Sequence, residues 1–176
     1  MTVTIGIDPG LNGAIAAVRD GYKLIYYCDM PCLHETRGGK TKRTVSGSSV
    51  AAALREIIEM CPGEHISVCL ELVSAMPGQG VTSMFSLGHS LGVVEGVVLA
   101  KSMMLHRVRP AIWKKAMGYT SDKETIRADM LRLFPGAELH RKKDADRAEA
   151  IAMAIYLYKK QFGDGFVAKL QQFETD

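Results

Sequence analysis

The stretch Val3-Thr4-Ile5-Gly6-Ile7-Asp8, followed at once by Pro9-Gly10, decides the fold. It alternates large apolar residues with smaller ones, which predicts a strand, and it ends in a carboxylate just before a tight turn. A second stretch of the same form, Ile66-Ser67-Val68-Cys69-Leu70-Glu71, lies further along the chain. Because strand side chains alternate between faces, each acid is expected on the face opposite the large apolar residues.

The two acids are predicted to be neighbours. If the strands pair in parallel, Asp8 and Glu71 lie about 5 Å apart, which is one strand spacing. Two carboxylates that close repel each other unless one is protonated or a cation binds between them. A single acid at a strand end is more often a turn residue or a helix cap. Two such acids in matched phase favour instead a site for a hard divalent ion such as Mg²⁺, which prefers oxygen ligands.

Length and composition indicate one ordinary globular domain. The chain has 176 residues, of which 47% are hydrophobic and 23% charged, and its formal net charge is +3. This charge argues only weakly for a polyanionic partner, so the distribution of basic residues matters more. No secretory signal is visible, and the four cysteines show neither a CxxC pair nor zinc-site spacing: Cys28, Cys32, Cys61 and Cys69. We therefore expect a cytoplasmic protein that does not associate with a membrane.

The order of elements predicts an α/β fold. Strands are expected at 3–8, 13–19, 22–28, 66–71 and 104–108. Short turns join the first three strands as an antiparallel meander, whereas a helix capped by Ser48 or Ser49 and ending near Cys61 precedes the fourth. Such a helix is the usual crossover between parallel strands. The prediction is a mixed five-stranded sheet, with three antiparallel strands and then two parallel ones, and helices on both faces.

Residues 29–47 are predicted to form a long polar connection. They contain the basic run Arg37-Gly38-Gly39-Lys40-Thr41-Lys42-Arg43. Two interpretations remain open for this run: a mobile basic loop, or a contact with a nucleic-acid backbone.

A long helix from about Thr82 to Lys101 carries Gly88, Gly92 and Gly96 on one face. Each glycine costs a helix about 1 kcal/mol relative to alanine, so the stripe predicts close packing. The partner is either the chain's own sheet or a second copy of the chain. Polar residues interrupt the apolar run and argue against a membrane span: Ser86, His89, Ser90 and Glu95.

Three further helices are expected towards the C-terminus. Pro110 begins a short one that ends near Met117, and Ser121 with Glu124 forms a capping box for one that ends at Phe134. The last helix runs from about Asp144 to Lys160. Residues 1–160 are thus expected to form the domain, and residues 161–176 a loose tail.

The last helix opens with a third group of acids. Asp146 and Glu149 are three residues apart and share a helix face, while Asp144 fits the N-cap position. Acids in a first helical turn also favour the helix dipole. The helix dipole alone does not explain the alanines at 145, 148 and 152, which would let the helix lie close to the sheet. It also does not explain why two strands end in acids.

Together these motifs resemble the RuvC-like Holliday junction resolvases of the RNase H-like nuclease superfamily. The resemblance rests on Ile5–Gly10, Leu70-Glu71 and Asp146–Ala152, and it covers about residues 3–158. It includes the glycine-bearing helix and the segment Pro110…Trp113-Lys114-Lys115. The length of the loop after Glu71 resembles phage or prophage versions. Glu149 departs from the family pattern, because that position is commonly Asp, and Asp144 offers a competing ligand.

The resemblance implies a nuclease that resolves four-way DNA junctions by paired phosphodiester hydrolysis, in DNA recombination and repair. It implies that two Mg²⁺ ions, or Mn²⁺ as a substitute, are held by four acids: Asp8, Glu71, Asp146 and Glu149. It also implies a homodimer that pairs through the glycine-bearing helix, with a host or phage recombination helicase as a further partner. Lys114 would act either as a general base or as a phosphate contact.

Two further sets of residues follow from this hypothesis. Clustered basic residues are expected to hold the DNA backbone: Arg109, Lys114, Lys115, Lys123, Lys142 and Lys143. An apolar wedge that opens the junction is expected from Met76, Met84 and Phe85, although Phe85 also fits a core position.

Other function classes remain to be separated from this one. An RNase H-fold nuclease acting on other branched DNA or on structured RNA would use the same acids. A junction-binding protein without catalysis would have no need of Asp8 and Glu71. The motif Asp8-Pro9-Gly10-Leu11 also occurs in actin-like ATPases, but those need two such domains, and this chain is too short.

Overall fold

The computed structural model describes residues 1–74, 78 and 80–163. Met76 and residues 164–176 of the predicted tail therefore lie outside the described residues. The start of that tail, predicted at residue 161, is not loose, because the last helix continues to Phe162. In chain order the elements are β1 (Thr2–Ile7), β2 (Ala14–Arg19), β3 (Lys23–Asp29), β4 (Cys32–Arg37), β5 (Lys40–Val45), α1 (Gly47–Met60), β6 (His65–Glu71), α2 (Val81–Ala100), β7 (Met104–Val108), α3 (Pro110–Ala116), α4 (Lys123–Leu133) and α5 (Ala145–Phe162), with a 3₁₀ turn at Lys142–Asp144 before α5.

The predicted five-stranded sheet is confirmed. Its order is β3-β2-β1-β6-β7, with β1, β2 and β3 antiparallel and β1, β6 and β7 parallel. In the β1–β6 ladder Ile7 is opposite Leu70. Asp8 and Glu71 therefore leave the sheet at the same edge.

The two faces of the sheet are covered differently, as the alternation in β1 predicts. Val3, Ile5 and Ile7 are fully buried in a core shared with α1 and α2. On the other face α5 crosses β1 at Gly6. A Cβ atom there would overlap the carbonyl oxygen of Ala150 and would stand 2.7 Å from the backbone nitrogen of Ala154. The last helix can lie directly on β1 only because residue 6 has no side chain.

The polar connection predicted for residues 29–47 is wrong, because β4 and β5 form an antiparallel hairpin within it. Gly38 and Gly39 make its turn, and both have positive φ (57° and 74°), as two-residue hairpin turns favour. The described side chains from 33 to 43 are exposed, so the strands have no buried face to mark them in the sequence. Among the described side chains of this segment, the buried apolar ones are confined to the base of the hairpin, at Met30 and Val45.

Two helix caps differ from the predictions, whereas Asp144 takes its predicted N-cap position before α5. Ser46, rather than Ser48 or Ser49, caps α1, and its hydroxyl accepts the Ser49 N–H at 3.2 Å. Asp122, not Ser121, caps α4 by accepting the Glu124 N–H at 3.0 Å. Asp144 precedes α5 but makes no side-chain cap bond to it.

The glycine stripe of α2 does not pack on the chain's own sheet. A Cβ atom at Gly88, Gly92 or Gly96 would meet no described atom within 4 Å. The same helix exposes Phe85 (74%) and Leu99 (51%), so the core position considered for Phe85 is wrong. By length and composition α2 could cross a membrane, which for one helix is weak evidence. Its opposite face is buried against the sheet at Val94 and Val98.

Candidate active site

Three segments bring carboxylates to one edge of the sheet. Asp8 follows β1, Glu71 ends β6, and the first two turns of α5 carry Asp146 and Glu149. One oxygen each from Asp8, Asp146 and Glu149 lies within 4.8 Å of the other two. We call these residues the three-acid group. Its oxygens are close enough together to hold a metal ion. The group contains three of the four acids that the resemblance implies and leaves out Glu71, which the strand pattern had paired with Asp8.

Asp8 is held by the turn that follows it. Its Oδ1 accepts the N–H of Gly10 at 2.9 Å, and its own N–H donates to the carbonyl of Ala14 at 3.0 Å. Burial raises the pKa of Asp8, the Gly10 hydrogen bond opposes this, and the charge of Asp146 raises the pKa further. The ionised carboxylate is therefore costly here, which is expected where a cation is to be bound.

Glu71 lies beside the three-acid group without being part of it. Its Oε1 accepts the indole N–H of Trp113 at 2.8 Å, and Trp113 is fully buried. Burial raises the pKa of Glu71 to about 7 against this hydrogen bond, and the charges of Asp8 and Glu149 raise it too. Sequence reasoning gave Trp113 no role. The only feature of the sequence that could have drawn attention to it is that it is the single tryptophan of the chain and stands next to a lysine.

Two of the predicted DNA-binding lysines contact the acids. The ammonium of Lys114 lies 2.5 Å from Glu149 Oε1, and that of Lys123 lies 2.6 Å from both Asp146 Oδ1 and Glu149 Oε2. Burial lowers the pKa of Lys123, but its hydrogen bonds to the two carboxylates outweigh this and raise it. These lysines offset the repulsion within the three-acid group, and a bound cation would share its oxygens with them.

Asp144, the possible competing ligand, is engaged elsewhere. It accepts the backbone N–H of Arg141 at 2.8 Å and forms a salt bridge with the Arg141 guanidinium at 2.8 Å. The hydrogen bond from this guanidinium lowers the pKa of Asp144 to about 2. The next basic residue, Arg147, binds Asp29 and so ties α5 to β3. Neither side chain belongs to the three-acid group.

A cleft of about 890 Å³ opens beside the acids. Asp8 and Asp146 line it on the inner side, and Thr41–Arg43 of the hairpin form one wall. Lys123 and Lys142 line it near α5, and the first turns of α2 contribute hydroxyl groups from Thr82, Ser83 and Ser86. The hairpin wall was not predicted, because the hairpin itself was not.

The remaining predicted residues are placed as follows. Arg109 and Lys115 are exposed at the start and end of α3, and no salt bridge with another described residue involves either. Lys143 is exposed. The pKa of Asp29 is lowered chiefly by its hydrogen bond from Arg147 and, to a smaller extent, by the charge of Lys143. Phe85 lines a small pocket of about 120 Å³ with Lys42 and His89, while Met84 is half-buried.

The sheet order and the carboxylates at one edge define a fold of the RNase H-like class, in its RuvC-like form. Two solved structures of RuvC from Thermus thermophilus share this fold. One is described as RuvC in complex with Holliday junction substrate, with TM-score 0.62, 16% identity, and coverage of 93% of this chain and 97% of that one. The other has TM-score 0.55, 16% identity, and coverage of 92% and 97%. No family model and no curated protein matches the sequence.

Proposed function

We propose that this protein is a metal-dependent, structure-selective endonuclease that resolves four-way DNA junctions by symmetrical phosphodiester hydrolysis, in DNA recombination and repair. The observation that carries the proposal is the three-acid group at the sheet edge of a RuvC-like fold. A cleft with basic residues near this group, and a structural neighbour described with a Holliday junction substrate, support DNA as the substrate.

The donor set suits Mg²⁺ or Mn²⁺. All its ligands are carboxylate oxygens, with neither thiolate nor imidazole in the group, and such oxygens favour hard divalent ions. Asp8, Asp146 and Glu149 would hold one ion, and Glu71 with Asp8 a second. When bound, the ions supply Lewis-acid stabilisation of the charge that develops during phosphodiester hydrolysis.

The chain's own residues prepare the site for a phosphate. The indole N–H of Trp113 fixes the orientation of Glu71, so this carboxylate needs no further ordering when it binds a cation. Lys114 and Lys123 lie within hydrogen-bonding distance of the acids, and a phosphate in the same place would be within their reach. Lys114 would then act as a general base or a phosphate contact.

A homodimer is part of the proposal. A four-way junction has two-fold symmetry, and symmetrical incision needs two active sites related in the same way. The open glycine stripe of α2, flanked by the exposed Phe85 and Leu99, is the surface that supports pairing. In this arrangement Phe85 and Met84 would lie near the junction centre as the wedge. A cytoplasmic location and a partner helicase stay predictions.

The test is cleavage of a synthetic four-way junction by Asp8→Asn. We expect this variant to lose cleavage in Mg²⁺ by about 10³-fold or more, since one ligand of the three-acid group is neutralised. Junction binding in Ca²⁺ should persist, because the lysines of the cleft remain. Asp129→Asn, in α4 and outside the acid group, is the matched control. Normal cutting by Asp8→Asn would overturn the proposal.

The alternative is an RNase H-fold nuclease for other branched DNA or for structured RNA. The same acids and cleft would serve it, so the substrate panel decides between the two. Flaps, RNA–DNA hybrids and a structured RNA are assayed beside the junction under one set of conditions. Preference for the junction supports the resolvase, and preference for another substrate supports the alternative.

A further inference from the structure

We propose that the β4–β5 hairpin is a fixed arm that binds the phosphate backbone of the DNA strand entering the three-acid group. The proposal rests on the proposed function. It develops one of the two interpretations left open for the basic run at 37–43, a nucleic-acid backbone contact, now that this run is seen to lie on a hairpin. The strand would lie in the cleft with Thr41 and Lys42 on one side and Lys142 on the other.

The hairpin concentrates the positive charge of the chain. Between positions 32 and 45 there are four basic residues and one acid, Glu35, so the hairpin carries a formal charge of +3. This equals the net charge of the whole protein, and the rest of the chain is therefore neutral overall. A surface of this kind favours a polyanion through counterion release, without sequence preference.

The base of the hairpin is fixed relative to Asp8. The N–H of Met30 donates to the carbonyl of Gly13 at 2.8 Å, and the guanidinium of Arg43 binds the carbonyl of Leu11 and the Asn12 side chain at 2.5 and 2.9 Å. These partners belong to the turn that follows Asp8. Since Val45 is also buried in the core, the wall of the cleft is placed before any ligand binds.

The four described cations that line the cleft differ in the partners they have: Arg43 is bonded to the neutral oxygens of Leu11 and Asn12. Lys123 is bonded to acids, whereas neither Lys42 nor Lys142 forms a salt bridge with another described residue. The ammonium groups of Lys42 and Lys142 can therefore bind phosphate oxygens without breaking a salt bridge to a described residue. The hydroxyl groups of Thr41, Thr82 and Ser83 supply further donors along the same cleft. A phosphodiester strand is the occupant that uses both the ammonium and the hydroxyl donors.

The experiment measures binding of a four-way junction in Ca²⁺ by Lys42→Ala over a series of salt concentrations. We expect binding about three- to tenfold weaker at low salt, and a salt dependence whose slope falls by about 1, the loss of one phosphate contact. Lys142→Ala should behave alike. Lys23→Ala is the matched control, because Lys23 is exposed on β3 and lies outside the cleft.

A second readout separates this contact from a catalytic role. In Mg²⁺, Lys42→Ala should raise KM while kcat stays within about twofold, because the removed contact is equally strong before and during the reaction. If Lys42→Ala matches Lys23→Ala in affinity, slope and KM while the wild type binds and cuts the junction, the hairpin proposal alone is overturned. If the wild type does not bind the junction at all, the proposed function fails and the hairpin proposal fails with it.

Discussion

The helices α5 and α2 use small residues in opposite ways. Of the 18 residues of α5, eleven are buried, and its alanines at 148, 150, 152 and 154 are fully so. Of the 20 residues of α2, three are buried, and a Cβ atom added at Gly88, Gly92 or Gly96 would meet no described atom within 4 Å outside the helix's own backbone. Small residues permit close approach by a partner. For α5 that partner is β1 of the same chain, and for α2 the described residues provide none.

The difference bears directly on function. The contact of α5 with β1 sets Asp146 and Glu149 beside Asp8, so the candidate metal site depends on an intramolecular fit. The contact expected of α2 is intermolecular and would set the spacing of two such sites in a dimer. One small-residue surface thus positions the candidate metal site within one chain, and the other would set the symmetry of the proposed dimer.

The largest effect is expected from Gly6→Ala, which adds a Cβ atom against the backbone of α5. Because Ala150 and Ala154 would have to move with the whole helix, we expect a loss of at least about 3 kcal/mol of the free energy of unfolding. Urea denaturation followed by the fluorescence of Trp113 measures it. The control is Gly136→Ala, where a Cβ atom meets no described atom. Stability equal to that of the control would show that α5 is not tightly seated.

The second effect concerns association through α2. Gly92→Glu places a charge in the middle of the glycine stripe, where a second copy would bury it, and charges buried without a partner are costly. We expect the dissociation constant of the dimer to rise by about 100-fold or more, as measured by sedimentation over a range of concentrations.

The matched control for association is Gly136→Glu, which adds the same charge at a glycine outside α2. It should sediment as the wild type does. If Gly92→Glu also sediments as the wild type, pairing does not involve this face of α2. The inference that α2 packs against a second copy of the chain would then be wrong.

The third effect is the electrostatic cost of the site that α5 completes. Burial raises the pKa of Glu71 in the folded protein to about 7 from its ordinary value of 4.5, so the folded state binds this proton more tightly than the unfolded state does. Stability contributed by the protonated carboxyl is present at low pH and is lost as pH rises from about 4.5 to about 7. With metal chelated, Glu71→Gln should therefore be more stable than the wild type above pH 7, by on the order of 2 kcal/mol.

Thermal unfolding in EDTA at pH 5 and pH 8 measures this effect. The gain of Glu71→Gln over the wild type should grow between the two pH values. The control is Glu138→Gln, because the side chain of Glu138 is 78% exposed. Its stability relative to the wild type should not increase between the two pH values. Equal pH profiles for Glu71→Gln and the wild type would mean that Glu71 is not held in a buried, acidic environment.

The sequence predicted the parts of the candidate site that follow from the periodicity of strands and helices. Alternation in β1 and β6 placed Asp8 and Glu71 at one edge, and the spacing of Asp146 and Glu149 placed them on one helix face. It missed the contacts that depend on the placement of α3 and α4 in space, such as Trp113 with Glu71 and Lys123 with Asp146.

Two other misses have local causes. The hairpin strands lack a buried face, so no alternation marked them, although Gly38-Gly39 is a two-residue turn signal. The glycines of α2 indicated close packing but not its partner, because a helix face that binds its own sheet and one that binds a second copy need the same small residues.

The smallest effect is expected from Gly92→Ala, and its sign should depend on protein concentration. In a dilute, monomeric sample the new methyl group meets no described atom, and alanine favours the helix over glycine by about 1 kcal/mol, so unfolding should require more urea. In a concentrated sample the same methyl group would separate the two α2 helices, weaken the dimer and reduce or reverse the gain. An equal gain at both concentrations would show that the stripe faces solvent in solution, whereas a loss at both would show that it packs within its own chain.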